Sequence, residues 1–427
     1  MNLEDVYRYS RLLGKNIVDA GVIRREQYIT KLVASNRDNV VIFRLEELED
    51  VVVYSNMLSS RKDMQRILGA GSLEEAYSKL NYALSSPSNL VYVDFYEHYE
   101  DADKSISKLP FIKFYKEDGG YYLTSSVYIA CYQSICNASY HRTMYISSSK
   151  ATLRIVPRHL HYIVTRFFED GKDAPVALVL GLDPVQEIAA ALSPPLGVFE
   201  VEVGATLGGE KRAVRTPLYG IPVPANASII VEGTISRTER ALEGPFTDIL
   251  MLLDPAREQP VFNVDAVYYS RRKPPAVHAI VPGLWEHQLL MGFPREALMY
   301  VEAKRKVPCV EGVRLTEGGA TWLHAVISVN EYCSKGDAKL AALVAITAHP
   351  SVKHVVVVDS DINIDDQLMV EWAIATRTKA SEDIIVLKDI RGSTLDPRSA
   401  DGVGDKLIIL AIKPRDEKSE KYKRVEA

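Results

Sequence analysis

Two acidic residues lie on either side of a Gly-Pro pair in the segment Glu243-Gly-Pro-Phe-Thr-Asp248. Because glycine and proline interrupt both helices and strands, the segment is predicted to form a sharp loop. With Phe246 between them, either carboxyl group could lie in a partly dry pocket, where burial raises its pKa toward neutrality, as a general acid requires. The alternative is a solvent-exposed turn in which Asp248 caps a helix, and the spacing alone favours this alternative.

A second group of polar residues occurs in Asn137-Ala-Ser-Tyr-His-Arg142 and continues in Val156-Pro-Arg-His159. Side chains of these types in a β-rich region can bind an anion, and the guanidinium fork of Arg142 suits a carboxylate. Taken by itself, His159 is better explained as a surface histidine or as a buried histidine whose hydrogen bonds are satisfied.

A third group is the acidic cluster Val358-Asp-Ser-Asp-Ile-Asn-Ile-Asp-Asp366, which follows a strongly apolar predicted strand. Carboxylates at the carboxyl end of a strand can hold Mg²⁺, and Asp359 with Asp361 would then support a Mg²⁺-dependent transferase. Such residues more often form a solvated turn and cap the next helix, and the pattern favours that role here. The chain carries no P-loop, GxGxxG, HExxH or GxSxG motif.

The composition indicates a globular enzyme of two or three domains. Of the 427 residues, 47% are hydrophobic and 25% are charged, and the net charge of −5 does not suit a general nucleic-acid binder. No apolar run approaches the roughly 18 residues of a membrane span, and the charged N-terminus lacks a secretory core. Four scattered cysteines predict neither a disulfide framework nor a cysteine-rich zinc site, so we expect a cytoplasmic protein.

The elements that must position these residues begin with a mainly helical stretch over residues 1–85. It is predicted to contain a strand at 39–45 and a helix at 73–84, which Ser72 and Glu75 open as a capping box. Residues 86–110 lose hydrophobic periodicity and indicate a linker, with a first domain boundary near Leu109.

Short β-type runs separated by glycine and proline dominate residues 111–281 and suggest a barrel. One helix is predicted among them, after Asp183-Pro184. The predicted strands are FIKFY, YYLTSSVYIACY, VALVLG, GVFEVEVG, ASIIVEGTI and PVFNVDAVYY. Residues 286–304 are predicted to form one helix, bent or broken at Pro294. Beyond it strands alternate with helices, which indicates an α/β domain with mixed or parallel pairing.

Taken in order, several motifs resemble the UbiD-type decarboxylases, which use prenylated FMN. These motifs are NASYHR, VPRHL, GLDPVQEIAAALSPPLGVFEVEVGATLGG, VPANASIIVEG, EGPFTD, VVVVDSDINI, VEWAIATR and GSTLDP. The resemblance extends over roughly residues 35–410 and implies a multidomain fold of the α+β and α/β classes. Its expected parts are an N-terminal α/β domain over 1–109, a central flavin-binding split β-barrel over 110–305, and a C-terminal α/β domain over 306–427 that also makes oligomer contacts.

The resemblance also implies roles for individual residues. The family's metal ligands, an Asn, a His and a Glu, fall on Asn137, His159 and Glu200, a donor set that suits Mn²⁺, with K⁺ as a further candidate ion. The family's catalytic Arg, Glu and second acid fall on Arg142, Glu243 and Asp248, and Asp248 is expected to deliver the proton that replaces CO₂. Further family contacts to the flavin fall on Ser139, Tyr140, His141, Arg142, Pro157, Arg158 and Lys406.

The chain departs from the family pattern at two places, each of which affects an expected contact. The segment Ile249-Leu-Met-Leu-Leu-Asp254 replaces a frequent Gly-Tyr-Tyr, and Leu410 stands where an Asp is common. The first departure concerns the substrate side of the pocket, and the second concerns one cofactor contact.

An archaeal branch of the family implies a phosphorylated substrate. The first expectation is non-oxidative decarboxylation of trans-anhydromevalonate 5-phosphate to isopentenyl phosphate, and the second is an aromatic or 4-hydroxy-3-polyprenylbenzoate acid. Cations for a phosphate would come from Arg271, Arg272 and Lys273, or from His278 and His287 beyond them, unless the basic run is a solvated turn.

The resemblance finally implies two partners. A separate flavin prenyltransferase is expected to supply the cofactor, and the chain is expected to form a homo-oligomer, a dimer or larger. A different class stays open, because split barrels also occur in FMN reductases and in non-catalytic flavin-binding proteins. Oxidation of NAD(P)H in the presence of FMN would identify a reductase.

Overall fold

A computed structural model describes residues 1–26, 28–415, 419–422, 424 and 425, and the chain divides into two compact units, 1–290 and 291–427. The α-helices are α1 (Leu3–Leu13), α2 (Tyr28–Ala34), α3 (Arg61–Ile67), α4 (Leu73–Ser85), α5 (Phe95–His98), α6 (His159–Glu169), α7 (Pro184–Ala190), α8 (Glu200–Thr206), α9 (Trp285–Lys306), α10 (Lys335–Ala348), α11 (Gln367–Arg377) and α12 (Ala380–Asp383). None of these described helices is both long enough and apolar enough to cross a membrane.

The strands are β1 (Ile17–Ile23), β2 (Val40–Leu45), β3 (Leu48–Ser55), β4 (Val91–Tyr92), β5 (Tyr99–Asp101), β6 (Tyr122–Leu123), β7 (Val127–Tyr132), β8 (Ile135–Tyr140), β9 (Thr143–Ser147), β10 (Lys150–Leu153), β11 (Ala174–Leu180), β12 (Arg212–Arg215), β13 (Pro222–Pro224), β14 (Ile229–Glu243), β15 (Phe246–Thr247), β16 (Leu253–Asp254), β17 (Arg257–Ser270), β18 (Ala276–His278), β19 (Val310–Leu315), β20 (His324–Val329), β21 (His354–Asp359), β22 (Ile384–Arg391) and β23 (Val403–Ala411). The three-domain division with boundaries at 109 and 305 stays a prediction.

The first unit is built on a nine-stranded antiparallel sheet in the order β6-β9-β10-β17-β14-β11-β7-β8, with β5 paired to β17. In the described part of the chain, β6 and β8 end this path and do not pair with each other, so these pairings do not close a barrel. Both faces of the sheet are apolar, because side chains alternate along a strand. In β7, Val127 and Ile129 enter one core cluster, whereas Tyr128 and Ala130 enter the other.

The order of the sheet brings the ends of four neighbouring strands to the same end of the sheet. β9 begins at Thr143 opposite Leu153, where its antiparallel partner β10 ends. β17 begins at Arg257 opposite Glu243, where its antiparallel partner β14 ends. Because β10 also pairs with β17, all four ends lie side by side. Charged residues far apart in sequence, among them Arg142 just before β9, are therefore brought together.

The second unit is an α/β domain, as the alternating pattern predicts. Its sheet has the order β19-β20-β21-β23-β22, with β20, β21 and β23 parallel and both outer pairs antiparallel. Asp366 caps α11, accepting hydrogen bonds from Leu368 N at 2.9 Å and Met369 N at 3.3 Å. The helix predicted over 286–304 is α9, which contains Pro294.

Three predicted assignments within 111–281 are wrong. The run GVFEVEVG, predicted as a strand, contains helix α8, and helix α6 begins at His159 where none was predicted. The alternation of Val and Glu imitates a strand, but Glu200 is buried together with Val203 and Gly204, at helical spacing. FIKFY forms only isolated bridges. The helix beginning at 73 is α4, although Glu75 accepts from Gly71 N and so leaves the predicted capping box incomplete.

The cysteines form two disulfide bonds, contrary to the expectation of no disulfide framework. Cys131 and Cys136 face each other in the β7–β8 hairpin, with their Cα atoms 4.1 Å apart. Cys309 and Cys333 lie 24 residues apart in sequence and are bonded in the second unit. Strand register and tertiary packing create both pairs, and neither is visible in the spacing of the cysteines.

Candidate active site

Arg142 and Glu243 form a bidentate ion pair at the end of the nine-stranded sheet where β9, β10, β14 and β17 begin or end. Arg142 Nε and Nη2 donate to the two Glu243 carboxylate oxygens at 2.7 and 2.8 Å, and Glu243 is fully buried. The guanidinium carbon of Arg142 lies 4.6 Å from the ring centre of Phe246. Although burial disfavours the cation, Glu243 and the neighbouring Asp254 raise the pKa of Arg142, which therefore stays charged.

The loop after Glu243 is held in place by close backbone packing. Gly244 has φ of +95°, and Gly119 N donates to Pro245 O at 2.7 Å. A Cβ on Gly119 would come within 2.1 Å of Gly244 O, so only glycine allows the two chain segments to approach this closely. Thr247 N and Oγ1 both donate to the Asp118 carboxylate. The sharp loop predicted here is therefore present and tightly packed.

Asp248 lies in the turn that joins β15 to β16, and its residue surface is 8% exposed. Its Oδ1 accepts from Leu250 N at 2.8 Å and from Leu252 N at 3.0 Å, so it caps a hairpin turn and not a helix. Oδ2 makes no hydrogen bond with any described residue. Burial raises the pKa of Asp248 despite these two bonds, and the nearby Asp254 raises it further. The carboxyl group therefore favours its protonated form more than a free aspartate does.

Asp254 completes the site and was not predicted from sequence. Its Oδ2 accepts from Arg142 Nη2 at 2.8 Å, and its Oδ1 accepts from Arg257 Nη2 at 2.6 Å. The side chain of Arg154 lies 4.0 Å away. The only sequence signal was that Asp254 ends the segment that departs from the family pattern; its role depends on the hairpin that carries it back to the edge of the sheet.

Asn137 and Glu200 meet at the free edge of β8. Asn137 Nδ2 donates to Glu200 Oε1 at 2.7 Å, and Ala138 N donates to Oε2 at 2.7 Å. Burial raises the pKa of Glu200 to about 7, because it outweighs the hydrogen bonds from Ala138 N and Asn137, which lower the pKa. A buried carboxylate beside an amide oxygen is a donor set that a hard divalent cation fits. No three His, Cys, Asp or Glu side chains form a metal cluster anywhere in the described chain, so this set depends on Asn137.

His159 is the first residue of α6, and α6, like α8, packs on β8. Burial and the neighbouring Arg158 lower the pKa of His159, which favours the neutral imidazole that binds metals. The contacts of the described residues do not join His159 to Asn137 or to Glu200. Pro157 and Arg158 are exposed just before the helix.

A chain of hydrogen bonds leads from this edge toward Arg154. Ser139 Oγ donates to Asn137 Oδ1 at 2.8 Å and lies 3.0 Å from His141 Nε2, while His141 Nδ1 lies 2.8 Å from Arg154 O. Burial lowers the pKa of His141 to about 4, so its ring is neutral. Tyr140 belongs to the core cluster on the other face of the strand, and its buried hydroxyl group has no hydrogen-bond partner among the described residues.

Lys406 and Leu410 both lie on β23 in the second unit. Lys406 Nζ donates to Pro350 O at 2.6 Å and to Val352 O at 2.5 Å, and burial lowers its pKa. Leu410 is fully buried in the core of that unit. The structure therefore makes Leu410 a core residue at the position where the resemblance leads us to expect an aspartate.

The basic side chains proposed to bind a phosphate form ion pairs with acidic residues of the same chain. Arg272 pairs with Asp5 at 2.8 Å and Lys273 with Glu100 at 2.9 Å. Arg271 lies 3.6 Å from Glu100. His278 is buried between Glu187 and Glu286, and His287 Nδ1 accepts from Gly283 N at 3.0 Å. These residues form structural pairs and do not present free cations.

The acidic cluster proposed for Mg²⁺ is likewise paired. Arg377 contacts Asp359 at 3.1 Å and Asp361 at 2.7 Å. Lys413 Nζ lies 2.9 Å from Asp361, and Arg415 lies 2.7 Å from Asp359. Despite burial, Arg377 and Lys413 lower the pKa of Asp361 to about 2. Three cations thus neutralise these carboxylates, as a structural cluster requires, and the transferase alternative loses its metal site.

Comparison with known proteins identifies the family. The domain described as 3-octaprenyl-4-hydroxybenzoate carboxy-lyase Rift-related domain matches residues 92–285, and the C-terminal domain of the same carboxy-lyase matches residues 288–411. The chain therefore belongs to the UbiD family and is a carboxy-lyase, which confirms the resemblance inferred from its motifs.

Its relatives include archaeal enzymes. The chain is 40% identical over 407 residues to the anhydromevalonate phosphate decarboxylase of Aeropyrum pernix. The aligned residues cover 95% of this chain and 92% of that protein. Identity to the enzyme of the same name from Methanothermobacter thermautotrophicus is 37% over 393 residues, 91% of each chain. The UbiD-class enzyme HmfF of Pelotomaculum thermopropionicum, solved in complex with FMN, matches with a TM-score of 0.93 and 32% identity, over 100% of this chain and 97% of that one. The mixed α and β multidomain fold is thus that of UbiD-class enzymes.

Proposed function

We propose that the chain decarboxylates trans-anhydromevalonate 5-phosphate to isopentenyl phosphate and CO₂ with prenylated FMN as cofactor. The observation that carries the proposal is the Arg142–Glu243 ion pair beside the buried carboxyl group of Asp248. The name of the Aeropyrum pernix relative supports the choice of substrate, and the complexes of HmfF with FMN and of its evolved form with prFMN support the choice of cofactor.

Each residue of the site has a distinct role in this reaction. Glu243 fixes Arg142 through two parallel hydrogen bonds, and Arg142 Nη1 makes no hydrogen bond with any described residue. Nη1 can therefore hold the substrate carboxylate in a defined orientation. When bound, prenylated FMN supplies the electron sink for the pair released as CO₂ leaves. Asp248, whose two backbone donors both bind Oδ1, then gives a proton to the substrate carbon.

The cofactor would be held at the edge of β8. Asn137 and Glu200 supply two oxygen donors, and His159 supplies a neutral imidazole, so the three would hold Mn²⁺, which would supply positive charge for the flavin phosphate. K⁺ is a further candidate at the same edge. The remaining proposed flavin contacts in this unit are Ser139, Tyr140, His141, Arg142, Pro157 and Arg158. The open ends at β6 and β8 suit the split barrel that the family implies.

The proposal is tested by loading the chain with its cofactor. The protein is expressed with a flavin prenyltransferase and purified without oxygen, and its absorption spectrum, metal content and native mass are measured. We expect stoichiometric prenylated FMN with Mn²⁺, a dimer or larger oligomer, and CO₂ release from trans-anhydromevalonate 5-phosphate. Release only from aromatic or polyprenylbenzoate acids would overturn the substrate, and plain FMN with NAD(P)H oxidation would identify a reductase.

Asp248→Asn is expected to lower turnover by about 10²- to 10⁴-fold, the usual contribution of a general acid. The amide keeps the shape of the side chain but has no acidic proton to give to the substrate carbon. Because a general acid must be protonated, the wild-type rate is expected to fall as pH rises through the raised pKa of Asp248, and that limb of the pH–rate profile is expected to disappear in the variant. Turnover unchanged across the profile would exclude Asp248 as the proton donor.

A further inference from the structure

Three arginines converge on one carboxylate at the end of the sheet where β9, β10, β14 and β17 begin or end. Arg142 precedes β9, Arg154 follows β10, and Arg257 begins β17, and all three guanidinium groups approach Asp254. Among the residues that the structure describes, the one other carboxylate paired with these arginines is Glu243. Among the described residues, three cations therefore face two anions, and the cluster attracts a further anion.

The unmatched cation is Arg154. Arg142 makes three hydrogen bonds to carboxylates, and Arg257 Nη2 donates to Asp254 at 2.6 Å. The side chain of Arg154 makes no hydrogen bond with any described residue, and its nearest carboxylate oxygen lies 4.0 Å away. With its side chain only 25% exposed, Arg154 is a half-buried guanidinium without a bonded partner. Burial, and after it Arg257, lowers the pKa of Arg154, while Asp254 acts in the opposite direction.

The backbone of Arg154 is fixed although its side chain is not bonded. Arg154 N donates to Arg142 O at 3.3 Å, and His141 Nδ1 lies 2.8 Å from Arg154 O. The next residue, Ile155, donates from its N to Gln259 Oε1 at 2.9 Å. These contacts place the guanidinium group beside the proposed carboxylate-binding group Arg142 and leave its hydrogen-bond fork available.

We propose that Arg154, supported by Arg257, binds the phosphate of the substrate while Arg142 binds the carboxylate that is lost. This inference rests on the proposed function and deepens it. A planar guanidinium fork matches two phosphate oxygens, and a phosphomonoester dianion matches the excess positive charge of the cluster. A flavin also carries a phosphate, but the group proposed to hold it, Asn137 with Glu200, is separated from Arg154 by the hydrogen bonds through Ser139 and His141.

The test compares Arg154→Met with wild type on the phosphorylated acid and on the same acid without its phosphate. We expect kcat/KM for the phosphorylated acid to fall about 30- to 100-fold, mainly through KM, as the loss of one charge-assisted contact predicts. The unphosphorylated acid is expected to react equally with both proteins. Arg154→Lys, which keeps the charge but not the fork, is expected to lie between them.

Two controls identify the source of any effect. Arg237→Met removes one exposed positive charge from β14 and is expected to change neither substrate's kinetics. The affinity for FMN, measured by quenching of flavin fluorescence, is expected to be the same in Arg154→Met and wild type, with matching thermal melting. Weaker FMN binding with equal loss on both acids would assign Arg154 to the flavin phosphate and overturn the inference. If wild type decarboxylates only acids without phosphate, the proposed function fails as well.

Discussion

Glu243→Gln is expected to lower kcat/KM for decarboxylation by about 10³-fold, within the range that a group acting directly in proton transfer and substrate positioning contributes. The substitution keeps the volume of the side chain but removes its charge, and it turns one of two parallel acceptors into a donor. An amide NH₂ group would then face an Arg142 N–H group at the distance of the present 2.7 or 2.8 Å bonds. Arg142 must therefore rotate, and its orientation toward the substrate carboxylate is lost.

The variant is expected to fold, because Arg142 is not left without an anion. Removing one partner of a buried ion pair costs about 3–5 kcal/mol when the other charge stays uncompensated. Here Arg142 Nη2 also donates to Asp254 at 2.8 Å, so the guanidinium group keeps a carboxylate partner after the change. Loss of activity with a retained melting temperature and retained cofactor spectrum is therefore the expected combination.

A matched control lies on the same strand. Glu239 on β14 is 42% exposed in its side chain and pairs with Lys150 across the surface. Glu239→Gln removes the same charge from the same strand and is expected to leave kcat/KM unchanged. CO₂ release and isopentenyl phosphate formation are measured for both variants. Equal activity of Glu243→Gln and Glu239→Gln would show that the buried ion pair has no part in the reaction.

Local residue types indicated only part of this site. They placed Glu243 and Asp248 in a Gly-Pro loop and marked Arg142 as a partner for a carboxylate, but they favoured a solvent-exposed turn for the two acids, whose catalytic roles stay a prediction from the family resemblance. Asp254 could not be found in that way. Its carboxylate reaches Arg142 only because the hairpin of β15 and β16 folds back against the edge of the sheet, and Arg257 meets it through the register with Glu243.

Helix α8 shows a different limit. Its alternation of Val and Glu follows the period of a half-exposed strand, so local pattern predicts the wrong element. Glu200 is 2% exposed, and its carboxylate accepts from Asn137 and from Ala138 N across the edge of β8. The helix buries Glu200 against a strand more than 60 residues earlier, and no window of local sequence contains that contact.

The basic run at 271–273 shows that local sequence also does not reveal which charged residues are paired. Three consecutive cations resemble a phosphate site in sequence, yet Arg272 is paired with Asp5 and Lys273 with Glu100. Arg154, an isolated arginine in sequence, is the one without a bonded anion among the described residues of the sheet edge. Charge clusters in three dimensions depend on which strand ends meet, and here that is determined by the order β9-β10-β17-β14.

Glu286→Ala is expected to destabilise the first unit by about 2–6 kcal/mol, because two buried backbone N–H groups lose their acceptor at about 1–3 kcal/mol each. Glu286 accepts from Asn56 N at 2.6 Å and from Leu58 N at 2.7 Å, and it lies 3.1 Å from His278 Nε2. The other ring nitrogen of His278 lies 2.8 Å from Glu187. The two carboxylates, acting against burial, raise the pKa of His278 to about 10, so the imidazole is charged at neutral pH. Removing Glu286 leaves two buried N–H groups unpaired and the imidazolium with one carboxylate.

A second glutamate on the same helix provides the control. Glu302 pairs with Arg305 on the surface of α9, and its side chain is 30% exposed. Because exposed ion pairs contribute little, Glu302→Ala is expected to change the free energy of unfolding by less than about 1 kcal/mol. Chemical denaturation of both variants and of wild type measures the difference. Equal free energies of unfolding for the two variants would mean that the Glu187–His278–Glu286 cluster does not hold the unit together.

The pH dependence of stability distinguishes a charged His278 from a neutral one. A histidine whose folded-state pKa is raised gives stability that is complete below its unfolded pKa of about 6.5 and is lost as pH rises through its folded pKa. With the pKa of His278 at about 10, the free energy of unfolding of wild type is expected to fall between about pH 7 and about pH 10. In Glu286→Ala one of the two carboxylates that raise this pKa is missing, so the decline is expected to be shallower and to end at lower pH. The same slope in both proteins would mean that His278 carries no buried charge, and that the loss in Glu286→Ala comes from the backbone groups of Asn56 and Leu58 alone.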